Sequence, residues 1–381
     1  MDLSLSPEQQ LLRDTVDRLI ADTYRFEQRK AYAQSPAGFS RDNWRRFAEL
    51  GLLGIPFAES CGGFGGGGVE MMVVMNAFGR GLVVEPYLAS VVLCGGLLRD
   101  GGGKRLLARL IGGELIFAFA HGEKQARYAL ADVATTARRA AAGYVLRGRK
   151  TLALNGDGAN TLIVSARTAG AARDAHGISL FVVDRDAMGV GVRGYPTNDG
   201  LRAAEITFDD VCVGADAMLG EIDGALPLIE RTVDQAIAAL VAEAAGIMTA
   251  LCDLTADYLR TRQQFGRAIG TFQALRHRLV EMLLASEQAR SMAYLAATMW
   301  DSNDAPSRAR AMSAAKVEIG RGGRFVGQQA VQLHGGIGMT DEYVVGHYFK
   351  RLTMIDVLFG NFDYHLTRFA ATIAAESAAA R

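Results

Sequence analysis

The feature that most constrains this chain is a run of nearly forty residues, PLIERTVDQAIAALVAEAAGIMTALCDLTADYLRTRQQF, which carries one small or apolar stripe. A segment that long and regular reads as a helix that must bury its apolar side against partners. FQALRHRLVEMLLASEQARSMAYLAATMW and SRARAMSAAKVEIGRGGRFVGQQAVQL are two further helices of the same kind, so a bundle is expected. Between about Glu114 and Met218 the pattern changes. LIFAFA, TLIVSAR, ISLFVVD and AAEITFDDVCV are short, often β-branched segments punctuated by Gly, Asn, Asp and Pro, which predicts an antiparallel β domain. The absence of βαβ spacing argues against a Rossmann unit. The first third returns to helical periodicity, opening on Ser6, Pro7 and Glu8 as a start signal. The expected class is α+β: an N-terminal helical domain over 1–113, a middle antiparallel, barrel-like β domain over 114–220, and a C-terminal four-helix bundle over 221–381.

Charge narrows the function classes. Lys plus Arg and Asp plus Glu are balanced at 41 each, so the composition does not support a nucleic-acid or anionic-membrane role. Cys61, Cys94, Cys212 and Cys252 show no metal-ligand spacing and read as free thiols. The start MDLSLSPEQQLLRD lacks the pattern of a secretory signal, and VVLCGGLL is too short to span a bilayer, so a cytoplasmic location is the expectation.

Three stretches rise above this background. In RQQFGRAIGTFQ, a long helix ends at a glycine-marked turn with Arg262 beside it, and an arginine fork suits phosphate or carboxylate. QLHGGIGMTDEY places Gly335, Gly336 and Gly338 at a helix junction where free backbone N–H groups suit an anion; Thr340 and Asp341 could cap the next helix, and His334 could donate or simply pack. GRKTLALNGDGAN carries the turn signal Asn155-Gly156 and reads as a hairpin.

Together these stretches resemble the acyl-CoA dehydrogenase family over nearly the whole chain. The family's Arg-x-x-Phe-Gly run stands here as Arg262, Phe265, Gly266, Ile269, Phe272 and Gln273, and its Gln-x-x-Gly-Gly-x-Gly run as Gln332, Gly335, Gly336, Gly338 and Glu342. The resemblance implies FAD as cofactor. It also implies that Arg262, Phe265 and Gln273, with Gln332, Gly335 and Gly336, hold the adenosine diphosphate part of a flavin bound mainly by a neighbouring subunit. The implied reaction is α,β-dehydrogenation of an acyl-CoA thioester, with electrons passing to an electron-transferring flavoprotein.

Where the family carries its catalytic carboxylate, this chain departs. The usual position near the C-terminus corresponds to Gly360 or Phe359, and the alternative position on the first bundle helix corresponds to Ala236. Leu152-Ala153-Leu154 replaces a Trp-x-Thr that flanks the flavin ring. AEAAG, RQQFG and LFGNFDYH are similar to the small subunits of two-gene bacterial enzymes, notably that of pimeloyl-CoA dehydrogenase. That resemblance implies a large partner subunit in an α2β2 assembly and a dicarboxylyl-CoA substrate. The catalytic base is unknown at this stage. Glu243 is the candidate for a relocated one, Asp363 and His365 lie near the lost position, and Glu123 with Arg127 could edge a pocket for a carboxylated tail. The alternatives are a self-sufficient homo-oligomer with a relocated base, or a structural or CoA-thioester-binding subunit without redox activity.

Overall fold

The structure is a computed structural model that describes residues 4–379, with side chains to 374. Helices come first: α1 (Pro7–Thr23), α2 (Phe26–Gln34), α3 (Arg41–Glu49), α4 (Gly68–Gly81), α5 (Gly95–Asp100) and α6 (Lys104–Ile111). Eight strands follow: β1 (Phe117–Ala120), β2 (Thr136–Ala140), β3 (Gly143–Leu154), β4 (Thr161–Arg167), β5 (Ile178–Asp184), β6 (Val190–Pro196), β7 (Arg202–Gly214) and β8 (Met218–Leu219). Then come α7 (Leu226–Thr261), the short ladder of β9 (Gln263–Gln264) and β10 (Arg267–Ala268), α8 (Gln273–Thr298), α9 (Ala305–His334), α10 (Val344–Val357) and α11 (Phe362–Ala379). The chain divides into two compact units, one drawn from Met1–Lys30, Gly67–Val83 and Ile237–Arg381, the other from Ala31–Gly66 and Val84–Ala236.

In the helical unit, local signals set the helix ends. Ser6 caps α1 through a capping box with Gln9, and Asp304 caps α9 ahead of Pro306. Close approach explains two glycines: a Cβ on Gly79 would lie 2.1 Å from the Glu243 carbonyl oxygen, and one on Gly246 would lie 2.0 Å from that of Asn76. α4 and α7 therefore meet backbone to backbone. The methionines of α4, Met71, Met72 and Met75, are buried core filling. α7 is the one helix among the described residues long and apolar enough to cross a bilayer, and 78% of its most apolar window is buried inside the protein.

In the other unit the sheet departs from expectation. It is mixed and open rather than antiparallel and barrel-like. Its strands run in the order β6-β7-β3-β2-β4-β5-β8, with β1 paired to β4. β1 pairs with β4 in parallel, and β2 meets β4 in parallel at Thr136↔Arg167. The physical reason lies at the ends: β8 has two residues and pairs with β5, so nothing joins it to β6 and closes the ring. β4, flanked on both sides, is buried along nearly its whole length, as strands with parallel neighbours tend to be. The expected hairpin at Asn155-Gly156 is also absent, because β3 pairs with β2 and β7, not with β4. β6 had no counterpart in the sequence reading; its VGVRGYP has only half-exposed apolar residues. Leu146, Leu162, Val164, Phe181, Ile206 and Phe208 form the heart of the core between the strands.

Candidate functional site

The first candidate region lies in the helical unit, where α7 ends. The Arg262 amide donates to the Tyr258 carbonyl at 2.8 Å, and the β9–β10 ladder then folds the chain back. Its tip is Phe265-Gly266, both left-handed at φ +55° and +74°. A bulky residue in that region is unusual, and Phe265 is 89% exposed there. Its ring meets Phe272 edge-on at 6.1 Å, while the Arg267 guanidinium sits 4.1 Å from the centre of the Phe272 ring. Gln273 opens α8 on the surface.

A cleft of about 430 Å³ opens beside this turn, lined among others by Tyr258, Arg262, Arg278, Gln332, His334 and Gly335. It brings together Arg262, Gln332 and Gly335 from two sequence motifs seventy residues apart; Phe265, Gln273 and Gly336 are not among its lining residues. Gly335 ends α9 with φ +65°, and a Cβ built on Gly335 or Gly336 would touch nothing within 4 Å. The backbone there is open to an incoming group. Gly338 differs: its Cβ would come 2.9 Å from the Val331 oxygen, so it is a packing glycine. His334 is buried, bonded through Nδ1 to the Ala330 carbonyl at 2.8 Å and stacked on Tyr258 at 4.5 Å. Burial holds its pKa below the usual imidazole value. Thr340 and Asp341 do not cap α10, whose N-cap is Tyr343 without a side-chain bond. Asp341 pairs instead with Lys30 at 3.4 Å and His347 at 3.3 Å, because the turn after Gly338 carries it back towards α2.

An arginine without an acidic partner beside an unobstructed glycine turn suits a diphosphate. Arg262 has no ion pair among the described residues.

The second region is the turn between α10 and α11, which holds LFGNFDYH. Lys316, wholly buried on α9, donates to the carbonyls of Ile355 at 2.5 Å, Asp356 at 3.0 Å and Leu358 at 2.9 Å. It satisfies the free carbonyls at the end of α10. Burial brings its pKa down to about 7, with Asp356 acting in the opposite direction. His365, also fully buried, bonds through Nε2 to the Phe359 oxygen at 3.0 Å and through Nδ1 to Ser313 at 3.2 Å. Asp356 accepts from the Phe362 amide at 3.1 Å. Gly360 has φ +116°, and a Cβ on it would lie 2.5 Å from both His365 Nε2 and Tyr364 Cδ1. A side chain at Gly360 would have to displace His365 or Tyr364.

Glu243 is buried on α7 and bound by both oxygens: Arg351 Nε donates at 2.6 Å and its Nη2 at 2.8 Å. The candidate for a relocated base is thus held in an ion pair between α7 and α10.

The third region is in the β unit. Glu123 is not a pocket edge beside Arg127, which is exposed. Its carboxylate is buried and takes Lys150 Nζ at 2.7 Å, the Ala134 and Thr135 amides at 2.9 and 3.0 Å, and Gln125 Nε2 at 2.8 Å. Burial opposes that charge, but Lys150 together with the bonds from Gln125 and the Thr135 amide outweighs it and holds the carboxyl well below the usual range. Lys150 also bonds to Ser165 at 3.1 Å, and Ser165 to His121 Nδ1 at 2.9 Å. Leu152 sits at a bulge where the β3–β7 register shifts between Lys150 and Ala153, with φ +53°.

Lys316, Lys150 and Arg278 were not singled out from the sequence. Lys150 had a signal: it alternates with Tyr144, Leu146 and Gly148 on the buried face of β3. Lys316 stands amid AMSAAKVEIG, a lone cation in a small and apolar stretch.

The whole chain matches three domains of one family in order: acyl-CoA dehydrogenase, N-terminal domain over residues 6–114, middle domain over 118–211 and C-terminal domain over 226–374. Acyl-CoA dehydrogenase FadE12 of Mycobacterium tuberculosis is 31% identical over 79% of this chain and 80% of its own length. The chain belongs to the acyl-CoA dehydrogenase family. A short-chain-specific acyl-CoA dehydrogenase of Clostridium acetobutylicum is 27% identical, covering 94% of this chain and 96% of its own. In the solved ChsE4-ChsE5 complex from Mycobacterium tuberculosis, one chain superposes with TM-score 0.86 at 26% identity, over 98% of this chain and 99% of that one. FAD is accordingly the cofactor, and the protein is an oxidoreductase of the FAD-dependent CH–CH class acting on acyl-CoA thioesters.

Proposed function

We propose that this chain is the small subunit of a heteromeric acyl-CoA dehydrogenase, most like that of pimeloyl-CoA dehydrogenase, and lacks a base of its own. The observation that carries the reading is the α10–α11 turn, where a glycine, Gly360, stands at the position matched to the family's carboxylate and is closed in by His365 and Tyr364. Glu243, the other candidate, is committed through both oxygens to a buried ion pair with Arg351. The complex nature of the ChsE4-ChsE5 relative supports the idea of two unlike chains.

In this reading Arg262, Phe265 and Gln273, with Gln332, Gly335 and Gly336, hold the adenosine diphosphate end of FAD. Bound FAD supplies the hydride acceptor. The Arg262 fork offsets the phosphate charge, the glycine turn after α9 leaves it room, and the exposed Phe265 packs against a neighbouring subunit rather than its own core. The large subunit of an α2β2 assembly supplies the carboxylate that removes the α proton. The substrate class is a dicarboxylyl-CoA, the electron acceptor an electron-transferring flavoprotein, and the compartment the cytoplasm.

Anaerobic flavin bleaching of the purified, FAD-loaded chain by a panel of acyl-CoAs tests this. Flavin that stays oxidised alone and bleaches once a large homologous subunit is added is the expected outcome. Rapid bleaching by the chain alone overturns it.

A further inference from the structure

The cleft beside Arg262 holds a second cation that neither motif contains. Arg278 lies on α8, one turn and a half past Gln273, and lines the same cleft as Arg262, Gln332 and Gly335. Its Nη1 is 3.4 Å from Gln329 Oε1 on α9. Gln329 stands three residues before Gln332, so the two glutamines share one face of α9. One of them steadies the Arg278 fork and the other lines the cleft. Neither Arg262 nor Arg278 has an acidic partner among the described residues, although many other surface arginines do, such as Arg260 with Asp257 and Arg290 with Glu287. Two guanidiniums left unpaired around one cleft repel each other unless an anion lies between them. The Gly335 amide is spent on the Gln332 and Val331 carbonyls, and the glycines contribute room instead: a Cβ at Gly335 or Gly336 would meet nothing within 4 Å.

We propose that Arg278 is a second diphosphate-binding residue, so that an adenosine diphosphate moiety lies between two guanidiniums, Arg262 from the end of α7 and Arg278 from α8. The assignment rests on reading this cleft as a cofactor site. Two guanidinium charges match the two charges of a pyrophosphate, and they favour a dinucleotide flavin over one with a single phosphate. FAD and CoA both carry this moiety, and the reading above takes FAD as the source.

The test uses the full-length protein and the variants Arg278→Gln and Arg262→Gln, titrated with ADP, adenosine, FAD and CoA by calorimetry. Arg278 is exposed and makes one long side-chain bond, so its variant should keep the parent's melting temperature. Loss of one charge-assisted phosphate contact should weaken ADP and FAD roughly tenfold and leave adenosine unchanged. If Arg278→Gln binds ADP like the parent while Arg262→Gln does not, the role of Arg278 is overturned and the cofactor reading stands. If neither variant changes ADP or FAD binding, or if the unaltered protein binds neither, both fail. A loss confined to ADP and CoA keeps Arg278 as a diphosphate ligand and overturns FAD as the source.

Discussion

Glu243→Gln separates two roles for one residue. The Glu243–Arg351 pair joins α7 to α10 with both side chains less than a tenth exposed, at 6% and 7%. Gln keeps the shape of Glu and removes its charge, which takes from the buried Arg351 guanidinium the carboxylate that its Nε and Nη2 hold. Breaking a buried pair by removing one partner costs about 3–5 kcal/mol. For a unit of this size each kcal/mol moves the melting temperature by about 2–4 °C, so a fall of roughly 6–20 °C is expected in a thermal melt followed by circular dichroism. The double variant Glu243→Leu, Arg351→Met removes both charges and should recover most of that loss, since replacing the whole pair with apolar groups is often neutral. A base in an active site behaves otherwise: Glu243→Gln would melt with the parent and lose flavin reduction in the assembled enzyme. An unchanged melting temperature with abolished reduction would refute the structural role and restore Glu243 as a base.

Gly360→Glu, which installs the family's carboxylate, should lower soluble yield and melting temperature and give no gain in flavin bleaching, because its Cβ collides with His365 and Tyr364 in a left-handed segment. His365 titrates near 3 in the folded protein, held down by burial and then by Lys316, against 6.5 when free. Its neutral form is therefore bound by folding: the stabilisation is complete above pH 6.5 and is lost as pH falls towards 3, at about 1.4 kcal/mol per pH unit. Urea titrations at stepped pH should show that slope, and His365→Gln should flatten it. Glu123→Gln leaves Lys150 buried without its carboxylate and should cost about 3–5 kcal/mol, read as an early loss of the β unit in limited proteolysis; full stability in this variant would contradict the ion pair.

The long helices were legible in the sequence because their causes are local. Ser6 with Pro7 and the long apolar stripe of α7 act within a few residues of one another, whereas α9 starts at Ala305, two residues before the stretch expected to be helical. The motif at Arg262 and the glycines after Gln332 were legible too, since an arginine fork and a glycine turn announce their chemistry by residue type. Sheet closure was not, because it depends on whether β8 is long enough to reach a partner, and alternation along one strand says nothing about which strands become its neighbours. The same holds for charge. From the sequence, Glu243 and Glu123 were carboxylates that could act as base or pocket edge; the fold packs Arg351 and Lys150 against them. What the sequence alone determined was helix, strand and motif. Only the tertiary structure decided which charges pair, because Glu243 and Arg351, like Glu123 and Lys150, are far apart in the chain and meet only when the elements carrying them pack together.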